Sequence, residues 1–318
     1  MQSNILSIDL GGTSAKVGVV NQKGEVLLNF IVENDMNNIL DNLYQKIIKT
    51  LKEDKFKYED LELIGFSTAG FIDHGEGIVR IAGNLNWFDF DLKTEAEKIF
   101  KKKVLVLNDA NAAALGEFWI GSGKKYNSVI FYTLGTGIGG SIIINGQLIQ
   151  GQHGYAGEFG HGGDMQHEID CNCGLKHCLE PTTSAVGLSK AIKKFWKENP
   201  DHSTIKYFKN LDEVEMKDIA KVYQENKFPQ DLKNLIITIY KPLLNHMAIM
   251  TKALDPEAIL IGGGGSKMGD PLVDIIKSGL KPLLLPVYSA DLKIQTAQLG
   301  NDAGIIGASY YAIQNKDK

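Results

Sequence analysis

Alternating apolar and polar positions at the start of the chain predict a three-stranded β-meander. The apolar stretches cover residues 4–10, 15–20 and 25–33, and the polar turns Gly-Gly-Thr and Asn-Gln-Lys-Gly separate them. Short β-branched runs between glycine-containing turns are typical of antiparallel strands. Apolar residues then recur at Ile39, Leu43, Ile47 and Leu51. This spacing predicts an amphipathic helix over residues 36–52.

The next part of the chain alternates between apolar strands and amphipathic helices. Strands are predicted over residues 61–67 and 104–109, and helices over 94–102 and 110–118. A glycine-punctuated loop is predicted between residue 68 and Trp87. We expect a hinge near residues 118–125.

The opening pattern returns after residue 128. An apolar strand over 129–134, a glycine corner over 135–140 and further strands over 141–145 and 148–151 repeat the order of the first meander. This repetition predicts an internal duplication, in which two α/β halves share one plan.

The remaining residues predict a helical region and a final α/β portion. Helices are predicted over 182–199, 213–226, a long stretch 231–254, 270–280 and 303–315, with strands near 258–266 and 292–299. Strands that alternate with helices indicate an α/β protein with mixed sheets.

Composition and charge narrow the class of protein. A chain of 318 residues with 43% hydrophobic residues is long enough for two domains with substantial cores. The net charge of −4 gives no electrostatic reason to expect a nucleic-acid partner. No apolar run approaches the roughly 18 residues that span a bilayer, so we expect no membrane partner and a cytoplasmic location.

All three cysteines lie within eight positions, at Cys171, Cys173 and Cys178. The surrounding stretch, residues 154–184, also contains three histidines and several acidic residues. An odd number of clustered cysteines fits metal ligation in a reducing compartment better than a disulfide framework. Whether such a metal would be catalytic or structural depends on its ligand set.

The glycine corners favour anion binding. Gly135–Gly140 reads Gly-Thr-Gly-Ile-Gly-Gly, but β-branched residues and a hairpin turn follow it, so a dinucleotide-binding helix is excluded. Either corner alone could be a simple hairpin turn. Two equivalent corners and a third glycine run at 262–265 favour nucleotide binding, because glycine permits a positive φ and a close approach to phosphate. Asp9, at the end of the first strand, could hold Mg²⁺ through water.

Asn108 and Asp109 stand between a predicted strand and a predicted helix. Asp109 suits the N-cap position of that helix. It also suits a general base at the mouth of an α/β sheet. The sequence pattern leaves both interpretations open.

Five motifs, in this order, resemble the signatures of the ROK family of sugar kinases and sugar-responsive repressors. They are DLGGTSAKVGV, LNDANAAALGE, LGTGIGGS, the pattern E-x-x-H-x9-C-x-C-G-x3-C-x-E, and ILIGGGGS. The resemblance covers essentially the whole chain, and the cysteine pattern is its most specific part. It implies a two-domain, actin-like (ribonuclease H-like) ATPase fold of the α/β class, with an active site in the interdomain cleft. It also implies ATP with Mg²⁺ as phosphoryl donor, a sugar acceptor and a homodimer.

The resemblance assigns roles residue by residue. The catalytic base corresponds to Asp109. The sugar-contacting positions correspond to Gly70, Asn84, Asn108, Asp109, Glu158, His161 and Glu180. The nucleotide and magnesium positions correspond to Asp9, Gly11, Gly12, Thr13, Lys16, Gly135, Thr136, Gly137, Gly263 and Gly264. The zinc ligands correspond to His161, Cys171, Cys173 and Cys178, and His161 would use its second ring nitrogen for a sugar hydroxyl.

Three thiolates and one imidazole close a tetrahedral shell, so this zinc is expected to be structural. Two departures from the family pattern bear on the loop. His177 stands where the family commonly has glycine before the third cysteine, and Ser67–Asp73 lacks a proline often seen there. His167 and His177 are rival fourth ligands.

The domains are predicted as 1–118 with a C-terminal helix at about 300–318, and 119–299 with a zinc-binding loop at 161–178. The first phosphate loop begins by residue 9, which leaves no room for the winged-helix domain of the repressors, so an enzyme is expected. The hypothesis is transfer of the γ-phosphate of ATP to the 6-hydroxyl of glucose, N-acetylmannosamine or a β-glucoside. The alternatives are a sugar sensor without turnover, a zinc-ribbon nucleic-acid module, and a kinase for a non-sugar acceptor.

Overall fold

The computed structural model describes residues 4–225 and 229–317. The β-strands are Asn4–Leu10 (β1), Ser14–Val20 (β2), Val26–Glu33 (β3), Leu61–Thr68 (β4), Phe71–Asp73 (β5), Ile78–Ala82 (β6), Trp87–Phe90 (β7), Val104–Asn108 (β8), Val129–Leu134 (β9), Ile138–Ile144 (β10), Gln147–Leu148 (β11), Ala258–Gly262 (β12) and Lys293–Thr296 (β13). The α-helices are Ile39–Glu53 (α1), Leu92–Phe100 (α2), Asp109–Trp119 (α3), Glu180–Thr183 (α4), Ala185–Glu198 (α5), Met216–Glu225 (α6), Gln230–Ile239 (α7), Lys241–Leu254 (α8), Asp270–Leu280 (α9), Pro286–Ser289 (α10) and Ala303–Gln314 (α11). Residue 226, the last of the helix predicted over 213–226, lies outside the described residues.

Contacts within the chain define two compact units. The first unit comprises Met1–Lys125, Leu148–Gly157 and Gln298–Lys318, and the second comprises Tyr126–Gln147 and Glu158–Ala297. The C-terminal helix α11 therefore packs with the N-terminal part of the chain. Gly307 makes this possible, because a β-carbon there would overlap the backbone at Ala112 of α3.

The first unit is built on a five-stranded sheet in the order β3-β2-β1-β4-β8. The pairs β1–β2 and β2–β3 are antiparallel, while β4 runs parallel to β1 and to β8. Leu43 and Ile47 of α1 are fully buried against the apolar residues of these strands. The carboxyl ends of β1, β4 and β8 lie side by side, which places Asp9, Ser67 and Asn108 at one edge.

The second unit repeats this plan with the order β11-β10-β9-β12-β13. Strands β9 and β10 are antiparallel, and β12 runs parallel to both β9 and β13. Helices α5 to α9 pack against this sheet, and the core between them contains large buried side chains such as Tyr132 of β9 and Tyr223 of α6. The equivalent strand orders confirm the duplication that the repeated glycine corners predicted.

The prediction of one long helix over residues 231–254 is wrong, since two helices occupy this stretch. Helix α7 ends at Ile239, and α8 begins at Lys241 with Pro242 in its first turn. Proline lacks the N–H group that would continue the first helix, and its ring collides with the carbonyl four residues earlier. Apolar periodicity continues across the break, which is why the pattern alone suggested one helix.

The prediction of a loop between residue 68 and Trp87 is also wrong, because this segment contains most of a small three-stranded sheet, β5-β6-β7. Arg80, the only arginine in the sequence, lies on the central strand. Its guanidinium group donates to Asp73 on one side at 2.9 Å and to Asp89 on the other at 3.0 Å. These strands are too short for apolar alternation to reveal them.

Glu117 is a fully buried carboxylate that joins three segments of the first unit. One oxygen accepts from the backbone N–H groups of Gln298 and Leu299, at 2.8 and 2.7 Å. The other accepts from the N–H and the hydroxyl of Ser122, at 2.8 and 3.0 Å. Four donors satisfy the charge, so no cation is required.

We expect Glu117→Ala to lower the free energy of unfolding by roughly 3 to 5 kcal/mol, because it leaves four hydrogen-bond donors around a buried site without their acceptor and creates a cavity. Equilibrium unfolding in urea would measure the change. Glu53→Ala, which removes an exposed carboxylate 3.9 Å from Lys49, should change stability by less than about 0.5 kcal/mol. Equal effects of the two substitutions would contradict the assignment.

Among the described residues, no helix combines the length and the apolar character that crossing a membrane requires.

Candidate active site and metal centre

Asp9 occupies the end of β1, next to the first glycine corner. Its carboxylate accepts a hydrogen bond from the Ser67 hydroxyl at 2.7 Å. Burial raises the pKa of Asp9 to about 6; the Ser67 bond opposes the rise and the charge of Asp109 adds to it. A partly buried carboxylate whose ionised form lacks full compensation suits a cation that arrives with the substrate.

The raised pKa of Asp9 makes the stability of the protein depend on pH. The pKa of Asp9 is raised from 3.8 to about 6, so ionisation is less favourable in the folded state than in the unfolded state. The ionised carboxylate therefore destabilises the folded protein above about pH 6, whereas below about pH 4 Asp9 is protonated in both states and has no such effect. In magnesium-free buffer, Asp9→Asn should therefore raise the free energy of unfolding by roughly 2 to 3 kcal/mol at pH 8. The gain should shrink as the pH falls from 6 to 4. Urea unfolding across this range would test it, with exposed Asp41→Asn as control. A gain that does not vary with pH would show that ionisation of the buried carboxyl group is not its cause.

The first glycine corner turns without a positive φ at Gly11 or Gly12. Close packing explains Gly12 instead. A β-carbon at Gly12 would lie 3.2 Å from the β-carbon of Asn84. The corner thereby contacts a residue predicted to bind the sugar.

Asn108 and Asp109 have distinct positions at the start of α3. The side chain of Asn108 accepts from the N–H groups of Ala110 and Asn111, at 2.8 and 3.2 Å, and its amide donates to the carbonyl of Gly70 at 3.1 Å. Asn108 is therefore the N-cap, and the N-cap interpretation of Asp109 is wrong. The capping need is met by the preceding residue, which leaves Asp109 as the first residue of the helix.

The Asp109 side chain is reachable by solvent, yet protein atoms crowd its carboxyl group. This burial raises the pKa of Asp109, while a 2.8 Å hydrogen bond from the Ala110 N–H opposes the rise. A carboxylate of this kind is both accessible and more basic than an ordinary aspartate, which are the properties of a general base.

Lys16, predicted among the nucleotide-binding residues, lies on β2 in the register opposite Asp9. Its ammonium group is 2.5 Å from a carboxylate oxygen of Asp302. A phosphate ligand that used Lys16 would therefore have to share it with Asp302.

The second glycine corner lies between β9 and β10. The carbonyl of Gly135 accepts from the N–H of Ala185 at 3.1 Å, at the start of α5. Gly137 has no room for a side chain because the Glu180 carboxylate occupies that space. The same carboxylate accepts from the N–H of Ile138 at 3.0 Å. Glu180 is thus tied to the corner, and again close contact, not a positive φ, demands the glycine.

The third glycine run follows β12. Gly263 has a φ of +75°, and a β-carbon there would meet the backbone of Leu134, directly before Gly135. Gly264 opens a 3₁₀ turn, Gly264–Met268, and has open space above its α-carbon. The run therefore lies beside the second corner, as expected if both serve one ligand.

The predicted zinc ligands form one cluster. One ligand atom from each of His161, Cys171, Cys173 and Cys178 lies within 4.8 Å of the other three. The sulfurs of Cys173 and Cys178 are 3.6 Å apart, and Nδ1 of His161 is 3.9 Å from the sulfur of Cys171. The edges of a tetrahedral zinc–thiolate site measure about 3.8 Å. The donor set and its spacing therefore fit a closed zinc site.

The two rival histidines have other partners. Asp164, whose side chain is fully buried, accepts from Thr182 at 2.9 Å and lies 2.9 Å from Nδ1 of His167. Nδ1 of His177 lies 3.1 Å from the backbone carbonyl of Asp164. The position of His177 has a φ of +61°, which accounts for the family's preference for glycine there. Asp164 was missed because a single aspartate in a glycine-rich stretch gives no signal of burial.

His161 also relates the cluster to the predicted sugar-binding carboxylates. While Nδ1 faces the thiols, Nε2 is 3.8 Å from a carboxylate oxygen of Glu158. Glu180 has an oxygen 4.0 Å from the sulfur of Cys171. A metal in the cluster would hence fix the loop that carries Glu158, His161 and Glu180.

Known proteins resemble this chain in sequence and in structure. The glucokinase of Halalkalibacterium halodurans is 33% identical over 98% of this chain and 96% of its own length. The xylose repressor of Caldicellulosiruptor bescii is 28% identical over 96% of this chain and 76% of its own. The crystal structure of a ROK family glucokinase from Streptomyces griseus, in complex with glucose and AMPPNP, matches with a TM-score of 0.79 and 30% identity. The match covers 98% of this chain and 100% of that one.

The structural match confirms the predicted fold class, a mixed α/β fold of the actin-like ATPase type. The family model with the description "ROK family" matches residues 5–315. It spans every motif on which the resemblance was based, from the first glycine corner to the helix that follows the last strand. The chain belongs to the ROK family.

Proposed function

We propose that this chain is an ATP-dependent sugar kinase that transfers the γ-phosphate of ATP to the 6-hydroxyl of a hexose-type sugar. The observation that carries the proposal is Asp109, a solvent-reachable carboxylate with a raised pKa at the start of α3. Two asparagines of the same unit add polar groups. Asn108 directly precedes Asp109, and Asn84 lies against Gly12. The glucokinase relatives support both ATP as donor and glucose as first acceptor to test.

Asp109 acts as the general base in this mechanism. Its carboxylate accepts the proton of the sugar 6-hydroxyl as that oxygen forms a bond to the γ-phosphorus, and the bond between the γ-phosphorus and the β,γ-bridging oxygen breaks, with ADP leaving. Positioning and electrostatic stabilisation provide most of the acceleration in phosphoryl transfer. The amides of Gly12, Thr13, Thr136 and Gly137 supply donors for the phosphate oxygens.

Asp9 is the residue that would hold Mg²⁺, through water, and Ser67 orients its carboxylate. Magnesium, when bound, neutralises charge on the phosphates. Gly263 and Gly264 would border the nucleotide beside the second corner.

Zinc in the Cys₃His cluster is proposed as a structural ion. Four protein ligands leave no open coordination position for a water or a substrate. The metal then stabilises the loop from which Glu158, His161 and Glu180 hold sugar hydroxyls. Nδ1 of His161 would bind the metal, and Nε2 would remain for the sugar.

A second candidate is a sugar-binding sensor without turnover, which the likeness to a xylose repressor favours. A sensor needs neither a general base nor two phosphate corners. Asp109, Asp9 and both corners are present here, so the kinase is the stronger proposal.

Purified protein with ATP, Mg²⁺ and a panel of glucose, N-acetylmannosamine, fructose and a β-glucoside would test the function. ADP release would report turnover, and phosphorus NMR of the product would locate the phosphate. We expect sugar-dependent ADP release and a 6-phosphate. Sugar binding by calorimetry without ADP release would favour the sensor. Homodimerisation, testable by sedimentation, and a cytoplasmic location stay predictions.

A further inference from the structure

Asn34, directly after β3, contacts the first glycine corner twice. Its backbone N–H donates to the carbonyl of Thr13 at 3.0 Å, and its side-chain amide donates to the carbonyl of Gly11 at 2.8 Å. The N–H of Gly11 in turn donates to the carbonyl of Ser14 at 3.0 Å. The carbonyls on either side of Gly12 are therefore both held by one residue.

These contacts determine where the Gly12 amide points. In a trans peptide the carbonyl of one residue and the N–H of the next point in opposite directions. The described part of the chain contains no cis peptide bond. With the Gly11 carbonyl held toward Asn34, the Gly12 N–H faces the opposite side. Within residues 4–225 and 229–317, the amides of Gly12 and Thr13 donate no hydrogen bond, so both remain for an anion.

The side chain of Asn34 leaves one of its own polar atoms unsatisfied. Its Oδ1 is buried and has no hydrogen-bond partner among the described residues. Such orphan acceptors are rare and costly. Rotating the amide would end the bond to Gly11 and place Oδ1 against the Gly11 carbonyl, where two acceptors repel. The observed orientation therefore preserves the hydrogen bond to Gly11 and leaves Oδ1 of Asn34 without a donor.

We propose that Asn34 is a positioning residue for the nucleotide phosphates. It acts through the backbone of Gly11 and Thr13, turning their carbonyls away from the phosphate oxygens and presenting the Gly12 amide to them. The inference rests on the proposed kinase function. It goes further by assigning nucleotide affinity to a residue outside the glycine motif.

Binding of ATP with Mg²⁺, measured by calorimetry, and steady-state kinetics would test the proposal with three variants. We expect Asn34→Ala to raise the Kd and the KM for ATP about tenfold, the effect of one lost hydrogen bond in a binding site, with the KM for the sugar within twofold. Asn34→Asp should be worse than alanine, because it replaces the donor by a negative charge facing the Gly11 carbonyl. A purely structural role would lower thermal stability without a selective increase in the Kd for ATP.

Asn42→Ala is the matched control. The Asn42 amide donates to the carbonyl of Glu33 at 2.9 Å, one residue before Asn34, and does not contact the corner. We expect wild-type values for ATP. Thermal unfolding would verify that each variant is folded.

Three results would overturn the proposal. They are a wild-type Kd for ATP in folded Asn34→Ala, an equal loss in Asn42→Ala, and a wild-type protein that binds no ATP. Failure of the kinase function alone would differ from these, since wild-type protein would bind ATP and respond to Asn34→Ala yet phosphorylate no sugar.

Discussion

Asp109→Asn is expected to lower kcat by about 10² to 10⁴-fold, the usual contribution of a general base. Asparagine keeps the size of the side chain and an oxygen for the Ala110 N–H, which Asp109 accepts at 2.8 Å. It cannot accept the proton of the sugar hydroxyl. Sugar affinity, measured by calorimetry, should change little.

The pH dependence provides a second measure of the same residue. Because burial raises the pKa of Asp109, kcat/KM should begin to fall at a higher pH than an ordinary aspartate with a pKa of about 3.9 would cause. The base works only when ionised, so activity is lost as the pH decreases through that pKa. Asp109→Asn should lack this acidic limb.

Asp91→Asn is the control for helix capping. Asp91 begins α2 in the same unit and accepts from the N–H of Thr94 at 3.0 Å. Asparagine caps helices equally well, so activity should be unchanged. Near-normal turnover in Asp109→Asn would exclude Asp109 as the base.

Cys178→Ser is expected to abolish stoichiometric zinc and to raise the KM for the sugar by at least about tenfold, as ligand and near-ligand changes at metal sites commonly do. Cys178 is buried, its sulfur lies 3.6 Å from that of Cys173, and Glu180 follows two residues later. Serine offers a neutral hydroxyl in place of a thiolate, which zinc binds much more weakly. Elemental analysis and sugar titration would measure the two effects.

His167→Ala separates the proposed ligand from its rival. His167 lies beside the buried Asp164 carboxylate, outside the Cys₃His cluster. We expect this variant to retain zinc and His161→Ala to lose it. The reverse result would contradict the proposal that His161 links the zinc site to sugar recognition. Wild-type protein without zinc would refute the metal assignment itself.

Much of the fold could be predicted from local pattern. The meander of β1 to β3, the repeat at β9 and β10 and the helix α1 follow from apolar spacing and glycine turns, which report each element separately. The short strands β5 to β7 and the break at Tyr240 were missed. Arg80 joins the short strands through ion pairs with Asp73 and Asp89, which are seven and nine residues away. Pro242 separates α7 from α8 although the apolar spacing continues across the break.

The motifs also pointed to the candidate ligands and the candidate base, since thiolates, imidazoles and carboxylates are limited to a few residues. They did not point to Asn34 or Asp164, which hydrogen-bond to distant parts of the chain. Asn34 acts 21 to 23 residues from the corner and Asp164 acts on Thr182, and neither spacing is a local pattern.

By itself, the sequence determined the order of the elements, the internal duplication, the family and the chemical types at the site, because these depend on residue identity and short-range periodicity. Only the tertiary structure decided that Asn108 caps α3 and leaves Asp109 available. It also decided that His161, and neither His167 nor His177, joins the three cysteines, and that Asn34 holds the first glycine corner. Each of these depends on which groups compete for one hydrogen bond or one coordination position, and that competition exists only once distant segments are folded together.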